Sequence, residues 1–493
     1  MGESIVLSKR IKLIMTSIVM IFALVYSNKV FAQSNITVNR IAGQNRYETS
    51  NAIISKGWSQ SNVAILVNSE DFPDAIVSSP LAKKYNAPIL LTESNSLTDS
   101  TKQELQTLGV KNVIIIGGLS VISDNVDNAI KTLGVNTRRI YGQDRYETSV
   151  NVAKELGNVT NAFVLSGEDW EDALTIAPIA SKMQAPILLI ASDGTIPSSV
   201  SNYGNDNCEA YFNVVGTENF GNEVLHENFV VSPSFTMIHF LEGDNPVDIV
   251  NQIIKDSTYN NSIDLSNLYL ASNSNFADAL SGSALAGING NPIILVGDSN
   301  QSSINSFISD NSDNKVSSIN VLGGTGVLSD YVVNQIIGNE PSEIVLKDTD
   351  KPLISTGAGD ATNNELWLKY SDGTEELLVS SHSAEDIKDV IAFIQNPQFS
   401  LDKKKIYFMS AAWATSYSIH VVDIENKNEH FVCDGNSLKI IQSGLYAGDL
   451  IVNKHKYYGA PNYGSYDDYY IVTPEGQQIK DIGDDPEILS QYQ

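Results

Sequence analysis

The chain is poor in cysteine, histidine and positive charge. Its 493 residues include two cysteines, Cys208 and Cys433, and six histidines. Two cysteines so far apart cannot build a disulfide framework, so the modules must be held by their apolar cores. Thirty-one basic residues stand against 58 acidic ones, a formal net charge of −27. That balance argues against a nucleic-acid-binding protein, which needs a basic surface, and any anionic partner must be met by a local cluster of cations. The histidines show no metal-ligand spacing such as H-E-x-x-H, and no nucleotide-binding glycine fingerprint is present. No metal and no cofactor is therefore expected.

Long apolar runs are also absent beyond the N-terminus. There, Lys9, Arg10 and Lys12 precede the apolar stretch Leu13–Tyr26, and Val30-Phe31-Ala32 places small residues where a signal peptidase reads. This pattern predicts a secretory signal over residues 1–32, cleaved after Ala32. The run is shorter than the ~20 residues a membrane span needs. An exported chain with no later membrane span is expected.

What the sequence does contain is a repeat. "NRYETS" at Asn45–Ser50 returns as "DRYETS" at Asp144–Ser149. Each is followed by matching blocks, which appear a third time without the hexapeptide: "FPDAIVSSPLAKKYNAPILL", "WEDALTIAPIASKMQAPILL" and "FADALSGSALAGINGNPIIL". Asp74, Asp172 and Asp278 occupy equivalent places. So long a period makes each copy a small domain rather than a solenoid unit. Within the first copy, strands are expected at Val63–Val67, Ile89–Leu91 and Val113–Ile116. Helices are expected at Asp74–Tyr85, Ser100–Leu108 and Asp124–Leu133. Strands apolar on both faces, alternating with helices, imply parallel sheets covered on both sides.

The hexapeptide reads first as a helix start. Asn45 or Asp144 caps the helix, and Glu48 or Glu147 stands at capping-box spacing. Arg46 and Arg145 then lie in the first turn, where the helix dipole disfavours a cation. They need an anionic partner: the aspartate of their own copy, Asp74 or Asp172, or an external ligand. In the third copy "EGDNPVD" (Glu242–Asp248) has no arginine. Under own-copy pairing, Asp278 has therefore lost its partner or found another.

The blocks "RIAGQNRYETS", "FPDAI…LA…NAPILLT" and "VIIIGGLSVIS" resemble the type 2 cell-wall-binding repeat (CWB2) of surface proteins from clostridia and other Gram-positive bacteria. The resemblance spans roughly Ile36–Ile337. It implies an α/β fold of three tandem parallel-sheet modules forming a pseudo-trimer, and a non-covalent anchor on an anionic secondary cell-wall polysaccharide. It also implies location at the cell wall, association with the surface layer, and surface-layer proteins as further partners. The element it implicates is Pro88-Ile89-Leu90-Leu91, Pro186-Ile187-Leu188-Leu189 and Pro292-Ile293-Ile294-Leu295. Apolar strand residues offer no charge to a polyanion, so core strand is an equal reading of these stretches. Arg46, Arg145, Lys83 and Lys84 complete the candidate polymer-binding set, and Arg40, Arg138 and Arg139 make the first copy the most basic. The Gly117-Gly118 and Gly323-Gly324 pairs read as turns or as close approaches of backbone to a ligand.

The expected division is repeats at 33–138, 139–239 and 240–338, then a small β-rich C-terminal domain at 339–493. In the last part "SDGT" marks a hairpin between Leu366–Tyr370 and Glu375–Ser380, and Ser383–Ile394 reads as a helix. "FSLDKKKIYFMS" resembles single blades of TolB-like β-propellers, with room for at most about three. No nucleophile, base and orienting group emerge there: Cys433 sits in a strand-like run and reads as structural, so the chain is expected not to be an enzyme. The alternative is a wall-anchored hydrolase whose site lies in the C-terminal domain. The tyrosines around "GAPNYGSYDD" suit sheet packing or recognition of protein or sugar.

Overall fold

The computed structural model describes residues 36–226, 237–256, 259, 262–311, 316–349, 363–411, 416–458 and 464–484. The expected signal segment lies outside the described residues. None of the described helices is long and apolar enough to cross a membrane.

Twelve strands build three sheets whose neighbours are all parallel. They are β1 (Thr37–Ile41), β2 (Val63–Asn68), β3 (Ile89–Thr92), β4 (Asn112–Ile116), β5 (Asn136–Ile140) and β6 (Val159–Ser166). Then follow β7 (Ile187–Ile190), β8 (Cys208–Gly216), β9 (Met237–Glu242), β10 (Asn267–Ser272), β11 (Ile293–Val296) and β12 (Ser318–Leu322). The first sheet runs β3-β2-β4-β5, the second β7-β6-β8-β9, and the third β11-β10-β12-β1. The strand before each hexapeptide position thus belongs to the sheet of the preceding module. A cut between residues 138 and 139 falls inside β5. The first strand of the chain closes the circle: Thr37–Ile41 pairs in register with Ser318–Leu322, the last sheet strand of the third module.

Three equivalent helices meet on the pseudo-threefold axis: Ser79–Tyr85, Trp170–Met183 and Ala277–Gly287. Small residues let them approach. A Cβ on Gly287 would lie 2.6 Å from that of Ser181, and the hydroxyls of Ser79 and Ser283 are 2.6 Å apart. Phe72 and Trp170 each pack against Phe276, at ring-centroid distances of 6.0 and 6.4 Å. One continuous apolar core runs from Ile41 through all three modules to Leu322. The helix expected over Asp74–Tyr85 is broken into Phe72–Ile76 and Ser79–Tyr85. Pro80 stands at the start of the second piece, whereas the equivalent Pro178 lies inside the unbroken helix Trp170–Met183.

The C-terminal part is three antiparallel sheets of three, four and four strands. The expected hairpin is there, Asn364–Tyr370 against Glu375–Ser380. The helix expected at Ser383–Ile394 is not: a single 3-10 turn, Ile387–Asp389, stands in its place. Side chains supply the backbone partners a helix would have used. Asn364 brackets Ile394, accepting from its N–H and donating to its carbonyl. Ser410 Oγ accepts from Ala392 N, and His382 and Ile391 form an isolated bridge. Val390, Ile391 and Ile394 are thereby buried. The first of these sheets shares its core with the third module, Leu366 and Leu368 packing in one cluster with Val332 and Ile336.

Deleting Thr37–Ile41 removes one edge of the third sheet. The expected result is a lower melting temperature and faster amide exchange over Ser318–Leu322, with the first sheet little affected. Unchanged exchange in that strand would show that the circle is not closed in solution.

Candidate functional site

The hexapeptides start helices, as their residues require. Asn45 Oδ1 accepts from the N–H groups of Tyr47 and Glu48, each at 3.0 Å, and Asp144 accepts from Glu147 N at 2.8 Å. The Glu48 and Glu147 carboxylates reach back to Gln44 N and Gln143 N, one residue beyond an ordinary capping box. Thr49 and Thr148 accept from Gly43 N and Gly142 N. A Cβ on either glycine would collide with the glutamate side chain, so the turn before the helix requires glycine.

Each of these helix starts lies at a module interface, where the arginine bonds a carbonyl of its own module while its charge acts on the acid of the preceding one. Arg46 Nη1 donates to Ser69 O at 2.7 Å, and Arg145 Nη1 to Gly167 O at 2.7 Å. The charge of Arg46 acts on Asp278 and that of Arg145 on Asp74. The acid each arginine acts on is thus that of the preceding module and not of its own copy, and Asp278 keeps a cation. Asp172 is the aspartate without one. The third module carries Pro246 where the arginine would be and Ile249 where the threonine would be, both buried.

The three carboxyls differ accordingly. Burial pushes Asp278 up to about 6, against the pull of Arg46. Burial likewise pushes Asp74 up to about 6, opposed by the Thr148 hydroxyl and Arg145, with Asp71 and Asp144 raising it. Asp172 rises to about 8, through burial first and then the neighbouring charges of Asp169 and Glu171. The Gly-Gly pairs pack onto these acids: Gly117, at φ 110°, would place a Cβ 3.0 Å from Asp74 Oδ2, and Gly323 sits likewise over Asp278.

The remaining expected site residues are placed as follows. All three Pro-Ile-Leu-Leu-type stretches are buried: Ile89, Leu90 and Leu91 on β3, Ile187, Leu188 and Leu189 on β7, and Ile293, Ile294 and Leu295 on β11. Pro88, Pro186 and Pro292 lend their carbonyls to Ile65, Phe163 and Tyr269. These side chains are core. Lys83 Nζ donates to Ile288 O at 2.6 Å across one interface, and Lys84 Nζ to Glu155 O across another. Arg40 pairs with Asp330 at 2.6 Å and donates to Gly323 O, while Arg139 donates to Gly117 O and Gly118 O. Arg138 joins Glu155 at 3.0 Å beside Tyr85. Four of the first copy's cations, Arg40, Lys83, Lys84 and Arg138, therefore fasten modules together.

Two grooves lie where modules meet. One, about 540 Å³, is lined by Val38, Asn39, Arg40, Lys56, Tyr269 and Asn320 among others. The other, about 260 Å³, is lined by Tyr85, Asn112, Asn136 and Arg138. Lys56 is exposed. Sequence reading missed it, because nothing in its neighbourhood marks a groove that only the ring creates.

The C-terminal sheets hold one hydrogen-bond chain of catalytic appearance. His420 Nε2 is 2.8 Å from Ser418 Oγ, and its Nδ1 bonds the Glu429 carboxylate. The order Ser–His–Glu is that of an acyl-transfer triad, but Ser418 and His420 are fully buried and the imidazole stacks on Phe408. No described pocket reaches them. Burial pushes the Cys433 thiol up to about 12, which keeps it a poor nucleophile at neutral pH. Of the tyrosine cluster, Tyr457 and Tyr458 are exposed, Tyr458 packs on Tyr466 at 4.6 Å and Tyr470 is buried; Tyr463 lies outside the described residues.

A family model described as Cell wall binding domain 2 (CWB2) matches residues 40–127, 139–225 and 241–333. The chain belongs to that family. Its ring of three modules is a cell-wall anchor at the surface of a Gram-positive bacterium. The fold resembles Cwp6 from Clostridium difficile, with a TM-score of 0.53 at 28% identity, covering 61% of this chain and 47% of that one. Cwp8 of the same organism has the fold at a TM-score of 0.51 and 23% identity, covering 62% and 51%. In Bacillus subtilis, the N-acetylmuramoyl-L-alanine amidase LytC is 30% identical over 64% of this chain and 61% of its own length. The amidase enhancer of that organism is 41% identical over 34% of this chain and 23% of its own length. The chain thus spans about three fifths of the first relative and about a quarter of the second.

Two outcomes follow from the carboxyl ring. Arg46→Ala leaves Asp278 without its cation and should cost ~1–3 kcal/mol of stability, with Asp278→Asn in the same chain restoring most of it. Additive losses in that double-mutant cycle would refute the coupling. The second outcome is pH dependence. A carboxyl held above its ordinary ~3.9 binds its proton better in the folded chain, so stability falls as pH rises towards the folded value. Asp74 and Asp278 complete this loss by about 6, and Asp172 continues it to about 8. Asp172→Asn should therefore raise the melting temperature in mildly alkaline buffer and change it little in acid. An increment independent of pH would show that Asp172 is not the titrating group.

Proposed function

We propose that the three-module ring anchors the chain on an anionic secondary cell-wall polysaccharide, held in the inter-module grooves, and that the C-terminal sheets are displayed for interaction with surface-layer or other wall proteins. The observation that supports this reading most is the pair of grooves lined by cations, amides and tyrosine rings. They combine the charge and hydrogen-bond donors an acidic glycan needs. Lys56 and Arg138 replace Arg46, Arg145 and the buried apolar stretches as the residues expected to touch polymer. Two related grooves on one body gain avidity without further contacts. Export through a cleaved signal belongs to the same reading.

Purified chain is expected to bind washed walls that carry the polymer and to lose binding when the polymer is stripped. Lys56→Glu and Arg138→Ala should each weaken retention severalfold and lower its salt dependence, since each removes one cation from a polyanion contact. Full retention by the double variant would remove the grooves from the account.

In this reading the protein binds and displays and is not an enzyme. The burial of Ser418 and the high thiol value of Cys433 favour that over a wall hydrolase with its site in the C-terminal domain. The expected result with isolated walls is no clearing of turbidity and no release of sugar or peptide. Clearing by the wild-type chain that Ser418→Ala abolishes would establish the hydrolase instead.

A further inference from the structure

The three joints of the ring share one plan, so corresponding residues can be compared across them. At the closing joint, where β1 lies on the third module, Asn39, Asn320 and Tyr269 are register partners on β1, β12 and β10 and form a row across the sheet. The same row is Arg138, Ile114 and Ile65 at the first joint. At the second it is His239, Asn213 and Phe163. The end of the following helix brings one more residue to each joint: Lys56 of Arg46–Gly57, Glu155 after Arg145–Lys154, and Asp256 after Pro246–Lys255.

Two of the joints are satisfied by their own side chains. At the first, Arg138 Nη2 lies 3.0 Å from the Glu155 carboxylate and donates to the Tyr85 hydroxyl. At the second, His239 lies 3.7 Å from Asp256, and the Tyr259 hydroxyl donates to the fully buried Asn213. The closing joint has a cation, Lys56, where the others have a carboxylate, and an amide, Asn39, where they have arginine or histidine. Lys56, Asn39 and Asn320 line the groove of about 540 Å³ together with Tyr269 and Leu285. The side chains of Lys56, Asn39 and Asn320 and the Tyr269 hydroxyl bond to none of the described residues. Tyr269 is 8% exposed, and a buried hydroxyl without a partner costs free energy that a ligand can recover. The helix end that carries Lys56 rests on the third module: a Cβ on Gly57 would lie 2.8 Å from Leu285 Cδ1.

We propose that the closing groove takes one acidic sugar unit, with its carboxylate or phosphate on Lys56 and its hydroxyls on Asn39, Asn320 and Tyr269, and that the bound unit clips β1 to the third module. This rests on the reading of the ring as a polymer anchor, and adds which joint grips a charged unit and what that grip does to the ring. The oxyanion supplies at this joint the negative charge that Glu155 and Asp256 supply at the other two. The amides and the phenol offer the mixture of donors and acceptors that sugar hydroxyls need. Lys56 and Asn39 belong to the start of the chain, Asn320 and Tyr269 to the third module. A unit held by both sets favours the closed ring over the open one by its difference in affinity for the two. Closure and sugar binding therefore strengthen each other.

The test follows amide exchange in the full chain with glucuronic acid, glucose-1-phosphate, glucose and inorganic phosphate as probes, at matched ionic strength. Either acidic sugar should slow exchange over Thr37–Ile41 and Ser318–Leu322 severalfold and saturably, with glucose inert and Asn136–Ile140 unchanged. The larger of the two responses names a uronic acid or a phosphorylated sugar as the unit. Lys56→Gln should weaken the response roughly tenfold, as loss of a charge-assisted contact does, and Tyr269→Phe severalfold. Asn39→Arg with Lys56→Glu installs the ion pair of the first joint; it should slow exchange over Thr37–Ile41 without any probe and abolish the response to sugar. No saturable slowing in the wild-type chain, or a wild-type response in Lys56→Gln, would overturn the proposal. Inorganic phosphate acting as well as glucose-1-phosphate would overturn the assignment to a sugar. Wall retention measured in parallel separates this site from the anchor reading. Full retention by the Asn39→Arg, Lys56→Glu chain would overturn the site and leave the polymer anchor standing. A wild-type chain that responds to acidic sugars but ignores polymer-bearing walls would overturn the anchor and leave the site standing.

Discussion

The pairing of Thr37–Ile41 with Ser318–Leu322 ties the first strand of the chain to the last module, and the ring depends on it. A parallel sheet must be covered on both faces and extended by strands that arrive through crossovers. Here each module lends the strand before its first helix to the neighbour behind it. The edge so formed on the third sheet is completed by the N-terminal strand. Three short, otherwise incomplete sheets thereby become one closed body around a common helical axis.

Strand lending has an electrostatic consequence. The helix that follows each lent strand starts at an interface, so its first-turn side chains look into the module behind. Arg46 and Arg145 are cations at the wrong end of a helix dipole, made tolerable by a carbonyl of their own module and the charge of a buried acid across the joint. Lys83, Lys84 and Arg138 likewise bridge modules. Part of the positive charge that looked available to a polyanion is thus used in assembling the ring.

The C-terminal sheets follow a different economy. Their first sheet continues the core of the third module, with Leu366 and Ile336 in one cluster, so the C-terminal part is joined to the ring through packed apolar side chains. Part of their polar interior is satisfied within the strands. Ser418, His420 and Glu429 illustrate the point: an order of groups that could do chemistry at a surface instead saturates the hydrogen bonds of a buried imidazole.

Much of this was legible in the residues. The triplication, the parallel α/β character, the helix starts at Asn45 and Asp144, the hairpin at "SDGT" and the structural nature of Cys433 all follow from local pattern. Local pattern carries them because capping, alternation and turn chemistry act over a few residues. The absence of arginine and threonine at Pro246 and Ile249 was equally visible. Which acid loses its partner was not. Repeats in a line suggest that each arginine serves its own copy; the closed circle shifts every pairing by one module, leaving Asp172 rather than Asp278 alone. The stretch Ser383–Ile394 failed for a related reason, since Asn364 and Ser410 supplied backbone partners from distant strands. Sequence by itself determined the modules and their caps. Tertiary structure alone decided what faces what across the joints, because strand exchange and burial set those distances, and no spacing along the chain records them.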